Sequence, residues 1–278
     1  MAAGMPHAAM LREVPESNAP EATARLYSEI RRDMRVPFVA LFYRNLAGID
    51  GALEWMWATV SPLLTTGQLE TAAAEIAQTG AMDRPSPIKS VPQQADQVIA
   101  AYNRANPFNF TCAAILAHLL AGDAPASALS VKRTGHNRAN LCDAPTDLPA
   151  MVAPEEMSTD LRGGIAQLET PDTAGDGIVP SLYRHLANWP DFLSAAVDAL
   201  APRFADGTVQ ALAHEIAITG QHKTAALIAG ADIAPLPRAL VENRAAVSGS
   251  VEKFSRRIPE MIVVGRLLAA ATNKENQQ

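Results

Sequence analysis

Only two cysteines, Cys112 and Cys142, occur in the 278-residue sequence, and they form no CxxC pair. A disulfide framework and a zinc ribbon are therefore excluded, leaving two idle thiols in a reducing compartment. Aromatic residues are scarce at 5%, and positive charge is not in excess, since the net charge is −6. A general nucleic-acid binder needs a basic face against phosphate, so that class is excluded as well. No apolar run is long enough to span a bilayer. The longest near the end, "IPEMIVVGRLLAAA" (Ile258–Ala271), contains Glu260 and Arg266. The opening MAAGMPHAAM has no basic stretch leading into an apolar core, so no secretion signal is expected and a cytoplasmic location is. Valine and isoleucine do not alternate with polar residues, which leaves strands without support.

What the chain does have is alanine and leucine at helical spacing, within a composition that is 48% hydrophobic. Such residues lose little side-chain freedom in a helix. It also repeats itself. Shifted by 140 residues, Tyr43, Arg44, Leu46 and Ala47 meet Tyr183, Arg184, Leu186 and Ala187. Leu53 meets Leu193, Pro62 meets Pro202, and "AEIAQTG" (Ala74–Gly80) meets "HEIAITG" (His214–Gly220). One offset held across several helices and turns marks an internal duplication. The expected architecture is all-α, with two pseudo-symmetric helical repeats joined by a long irregular linker. The first repeat spans 1–122, the linker 123–176 and the second repeat 177–278. Helices are expected near 20–34, 38–48, 51–61, 68–79, 92–104, 108–121, 181–187, 191–203, 208–219, 221–229, 236–247 and 250–271, with Pro and Gly as their stops.

Familiar catalytic signatures are missing. In "HEIAITGQH" the histidines His214 and His222 stand eight apart, whereas a zinc helix needs them four apart. No metal site and no cofactor is expected. No GxSxG elbow, dinucleotide fingerprint or Walker loop occurs, and Cys112 has no evident histidine partner. The repeated acids Glu75 and Glu215 fit structural salt bridges. Arg44 and Arg184, equivalent under the repeat, read as structural too.

The most informative stretch is "YNRANPFNF", Tyr102–Phe110, with three asparagines, an arginine and three aromatics. The proline at 107 makes Asn106 an extended residue and a candidate helix cap. The functional alternative points Asn106 or Asn109 into an apolar cavity between the repeats, as a ligand pocket requires.

With "RVPFVA" (Arg35–Ala40) and "LANWPDFLSAAVDALAP" (Leu186–Pro202), this stretch resembles the DehI-type, or group I, 2-haloacid dehalogenases. The resemblance covers nearly the whole length. It implies two helical repeats with the active site between them, and homodimers. In that family an aspartate assisted by an asparagine activates water, which displaces halide from the α-carbon. The asparagine corresponds to Asn106; pocket tryptophan, phenylalanine and tyrosine correspond to Phe38, Leu41 and Asn109. The aspartate falls on Leu182, with Ser181 beside it, and neither residue is an acid.

A pocket that keeps its asparagine and loses its water base fits a substrate carrying its own nucleophile. The expected reaction expels sulfate or halide from sp3 carbon and closes a small ring in secondary metabolism. Aziridine formation from an amino sulfate ester, as in azinomycin-type antibiotic pathways, is a similar case. Asn106 and Ser181 are the expected catalytic residues. Phe38, Leu41, Asn109, Leu182 and Arg104 are the expected substrate contacts, with Ser181 or Arg104 meeting the anion. The expected partners are a small-molecule substrate and either a second copy or a small partner protein, with no nucleic acid and no membrane. Two alternatives remain: a hydrolytic dehalogenase using another acid such as Asp176, and a non-catalytic binding protein on the same fold.

Overall fold

The computed structural model describes residues 12–122, 148–229 and 236–273. Residues 123–147 of the expected linker, and Cys142 with them, lie outside the described residues. Eleven α-helices and no strand occur among the described residues, which makes the fold all-α.

The centre is a pair of long helices, α5 (Gln93–Ala121) and α11 (Arg244–Thr272), packed along each other. Small residues let the two backbones approach. Asn103 Nδ2 donates to the Gly265 carbonyl at 2.9 Å, and a Cβ built at Gly265 would lie 2.2 Å from Asn103 Oδ1. Helix α9 (Thr208–Ala229) packs on both, and α4 (Gln68–Ala77) on α5 and α9. Around this centre lie α1 (Glu21–Met34), α2 (Leu41–Leu46), α3 (Ala52–Thr65), α6 (Thr159–Ala166), α7 (Ser181–Leu186), α8 (Pro190–Ala205) and α10 (Arg238–Glu242).

The register of 140 pairs α2 with α7, α3 with α8, and α4 with the first part of α9. The matched arginines make matched contacts: Val14 N–H donates to the Arg44 carbonyl, and Val152 N–H to the Arg184 carbonyl, each at 3.0 Å. Their side chains converge on one carboxylate, Glu13, with Arg44 at 3.1 Å and Arg184 at 3.4 Å.

Several expected breaks are absent, for one physical reason. Helix α5 runs unbroken through Pro107, so Asn106 is a helical residue and not an extended cap. A mid-helix proline costs about 3 kcal/mol through its missing N–H and its clash with the preceding turn. Burial of residues on both sides of it, from Tyr102 to Leu116, offsets that cost. Helix α11 is continuous through Pro259, as the helix expected over 250–271 requires. Helix α9 continues through Gly220, where a Cβ would lie 2.2 Å from the Phe110 ring. Gly220 is thus a close-packing residue. Its counterpart Gly80 behaves as expected of a turn, with φ +75° after α4.

Helix α6 is the converse case. It lies in the stretch expected to be an irregular linker, yet Ser158 Oγ caps it by accepting from Leu161 N–H. Gly164 leaves room for Val197 of α8.

Candidate active site

A narrow cavity of about 40 Å³ lies where α2, α5, α7 and α11 meet. Its walls come in pairs. Helix α5 contributes Tyr102, Asn106 and Asn109; helix α11 contributes Phe254, Ile258 and Met261. Each trio has the i, i+4, i+7 spacing that aligns side chains on one helix face, and each brackets a buried proline, Pro107 or Pro259. Leu41 and Phe42 at the start of α2 face Ser181 and Leu182 at the start of α7, which are their partners under the register of 140. The asymmetry between paired positions makes the site polar. Asparagines on α5 stand opposite isoleucine and methionine on α11, and Ser181 stands opposite Leu41.

Five expected site residues are brought together here: Leu41, Asn106, Asn109, Ser181 and Leu182. Asn106 is 6% exposed, Asn109 3% and Ser181 7%. Both carboxamides line the cavity, and Ser181 Oγ is buried without a hydrogen-bond partner of acceptable geometry. Leaving a buried polar group unpaired costs about 1–3 kcal/mol, so the orphaned Ser181 hydroxyl, with two carboxamides beside it, prepares the void for a polar guest. Leu182 is 1% exposed and offers no proton acceptor. Phe38 sits behind the wall, its ring stacked on Tyr102 with centroids 4.4 Å apart.

Arg104 does not join them. It is exposed and absent from the cavity lining, because two residues along a helix turn a side chain to the opposite face from Asn106. The cavity's cation is Arg257, buried and one helical step before Ile258. Its Nε and Nη2 hold the Asp176 carboxylate at 3.2 and 2.8 Å, Nη1 holds Glu260 at 2.8 Å, and Nη2 also meets the Thr173 carbonyl at 2.9 Å. Glu260, equally buried, accepts from the hydroxyls of Thr170 and Thr173 at 2.9 and 2.7 Å. The neighbouring Glu169 carboxyl is raised by burial, an effect opposed by Arg257. Asp176, the candidate replacement base, therefore has both oxygens occupied, one of them also by Ile178 N–H. It does not line the cavity.

The Tyr102 hydroxyl lies 2.8 Å from His185 Nδ1, and both residues are buried. Burial first, then the charges of Arg44 and Arg184, hold His185 down at about 4, so its ring is neutral at physiological pH. Sequence reasoning quoted Tyr102 without assigning it a role and missed His185 and Arg257. A helix carried through Pro107 would have found Tyr102, four residues before Asn106. Arg257 lies inside the helix expected over 250–271, but no motif singles it out there.

The other candidates are structural. The Cys112 thiol is fully buried and pushed up to about 12 by desolvation, too high to act as a nucleophile. Glu75 pairs with Lys223. His214 pairs with Asp172 at 2.7 Å on the surface, and His222 is exposed. Among the described residues no group of three or more His, Cys, Asp or Glu is placed to hold a metal ion, and no helix is long and apolar enough to cross a membrane.

No family model matches the sequence, and no curated protein does. Solved structures do match. A D-2-haloacid dehalogenase mutant in complex with D-2-CPA superposes with a TM-score of 0.71 at 20% identity, covering 94% of this chain and 96% of the other. A second D-2-haloacid dehalogenase mutant gives 0.72 at 18% identity, and a complex of the enzyme with L-LA gives 0.71 at 18%, both with the same coverage. The chain has the fold of these dehalogenases.

Proposed function

We propose that the protein displaces an anionic leaving group, sulfate or halide, from an sp3 carbon by a nucleophile carried on the same substrate, closing a small ring such as an aziridine. One observation carries this reading. The position that the resemblance gives to a water-activating carboxylate is the buried Leu182, while Asn106, Asn109 and Ser181 still line the cavity. A hydrolase without its base forfeits roughly 10²–10⁴-fold in rate. An internal nucleophile needs no activated water, and an apolar wall at Leu182 keeps water out.

The chemistry left to the protein is placement. Folding the substrate into a near-attack conformer is worth about 7–11 kcal/mol. The asparagine amides are donors that can meet the departing anion, and fixed donors in a dry site act most strongly on charge developing in the transition state.

A second reading, hydrolysis of a 2-haloacid, draws support from the dehalogenase fold and the complex with D-2-CPA. It lacks a free base, because Asp176 is bound to Arg257. The deciding experiment offers the purified protein 2-aminoethyl hydrogen sulfate, 2-bromoethylamine and racemic 2-chloropropionate. Anion release and products are followed by ion chromatography and NMR against enzyme-free controls. Ring closure is expected from the amino substrates, with no chloride from 2-chloropropionate. Chloride and lactate from 2-chloropropionate would establish hydrolysis instead.

A further inference from the structure

Ring closure by an amine must dispose of a proton, and the cavity presents a route for it. We propose that Ser181, Tyr102 and His185 form a proton relay that receives the proton lost by the substrate's nucleophile; this rests on the ring-closing reading above. Ser181 Oγ lies at the cavity with no satisfactory partner, beside the Tyr102 hydroxyl. That hydroxyl is 2.8 Å from His185 Nδ1. The Pro149 backbone carbonyl faces the same ring as an acceptor. With Nδ1 occupied by Tyr102, this carbonyl takes an Nε2–H and leaves Nδ1 as the accepting nitrogen. Phe38 stacked on Tyr102 at 4.4 Å and tilted against His185 at 5.6 Å fixes both rings.

The step balances without a co-reactant. At pH 7 the substrate's amine is an ammonium without a lone pair, so one proton leaves nitrogen first. The freed pair then bonds to carbon as the carbon–oxygen or carbon–halogen bond breaks, whose electron pair leaves with the anion. The nitrogen's proton passes to Ser181 Oγ, the Ser181 proton to the Tyr102 oxygen, and the Tyr102 proton to His185 Nδ1. His185 ends as an imidazolium donating to Pro149. The charged groups facing it are Arg44 from α2 and Arg184 from α7, both cationic and both held by Glu13. They oppose imidazolium formation, and burial opposes it more. They make His185 about as weak a base as an ordinary carboxylate, which is the strength of the acid this cavity lacks. Ser181 touches substrate; Tyr102 and His185 act through it as positioning residues.

The test combines a direct observation with a kinetic one on the intact protein. In ¹⁵N-imidazole NMR, His185, assigned by comparison with His185→Gln, is expected as the Nε2–H tautomer and neutral from pH 5 to 8. An Nδ1–H tautomer, or titration above pH 6, would overturn the relay whether or not any substrate is turned over. With 2-bromoethylamine, Tyr102→Phe and His185→Gln are expected to lower kcat about 10²-fold at pH 7. The deficit should shrink as pH rises toward the amine's own pKa, where a proton no longer needs an enzyme acceptor. If both variants match wild type at every pH while Asn106→Ala loses ring closure, the relay is wrong and the ring-closing site stands. If wild type closes no ring, the ring-closing reading fails and the relay, which has no proton to receive, fails with it.

Discussion

Leu182 is the residue on which the functional reading turns, and it can be tested by restoring what it lacks. Leu182→Asp would place a carboxylate at the start of α7, beside Asn106 across the cavity. Burying a carboxyl where leucine packed costs about 2–5 kcal/mol, so a lower melting temperature is expected. Chloride release from racemic 2-chloropropionate is expected to appear in the variant and be absent in wild type. A folded variant with no chloride release would mean that this position does not address the cavity's water. His185 gives a second test through pH. Unfolded, histidine titrates near 6.5; folded, His185 is held at about 4. Above pH 6.5 both states are neutral and stability does not depend on this group. Between 6.5 and 4 the unfolded chain binds a proton that the folded protein refuses. Stability should therefore fall by about 3 kcal/mol as pH drops through that window, levelling off below 4. Urea midpoints at pH 7.5 and 4.5 check this, and His185→Gln should flatten the pH dependence by that amount.

At the scale of elements, the sequence was legible wherever local chemistry and packing agreed. Helix α1 follows Pro20 with Glu21 in its first turn, and α8 begins at Pro190, as proline and acid at a helix start require. Reading failed where tertiary burial overrode punctuation. Pro107 and Gly220 look like stops, and both lie inside continuous helices. The misplaced break at Pro107 also misplaced Asn106 and Arg104, since helical phase decides which of them faces the cavity. Asn106 and Asn109, drawn from the asparagine-rich stretch, and Ser181 and Leu182, drawn from the resemblance, nonetheless all line the cavity. Glycines separate the two forces cleanly. Gly220→Ala gains about 1 kcal/mol of helix propensity, but its Cβ would meet the Phe110 ring at 2.2 Å. Overpacking of that kind costs about 1–3 kcal/mol, so a net loss is expected. Gly249→Ala in α11 has nothing within 4 Å and should stabilise by up to about 1 kcal/mol. Thermal denaturation of the two variants measures the contrast; equal melting temperatures would mean that α9 yields at Gly220.

Across the whole molecule, charge is buried where separate parts of the chain must be held together. Glu13 joins the arginines of α2 and α7, and Arg257 joins α11 to residues 169–176, the stretch that follows α6. Neither link is visible as a motif, because its members lie 31, 81 or 171 positions apart in sequence. Arg257 is 2% exposed and Glu260 1%, so the network is shielded from salt. Desolvation makes such a cluster a weak net stabiliser as a set, yet removing one member leaves the others charged and uncompensated, at a cost of about 3–5 kcal/mol. Arg257→Met should thus destabilise by that amount. Asp176→Asn in the same background should recover part of the loss, because one stranded carboxylate is then removed. Asp176→Asn alone should weaken the fold while leaving ring closure per folded molecule unchanged, since Asp176 binds an arginine and does not line the cavity. Urea titration of the single and double variants gives the coupling, with turnover of 2-bromoethylamine measured alongside. Full stability together with lost ring closure in Asp176→Asn would instead place Asp176 in the catalytic machinery, despite its bonds to Arg257.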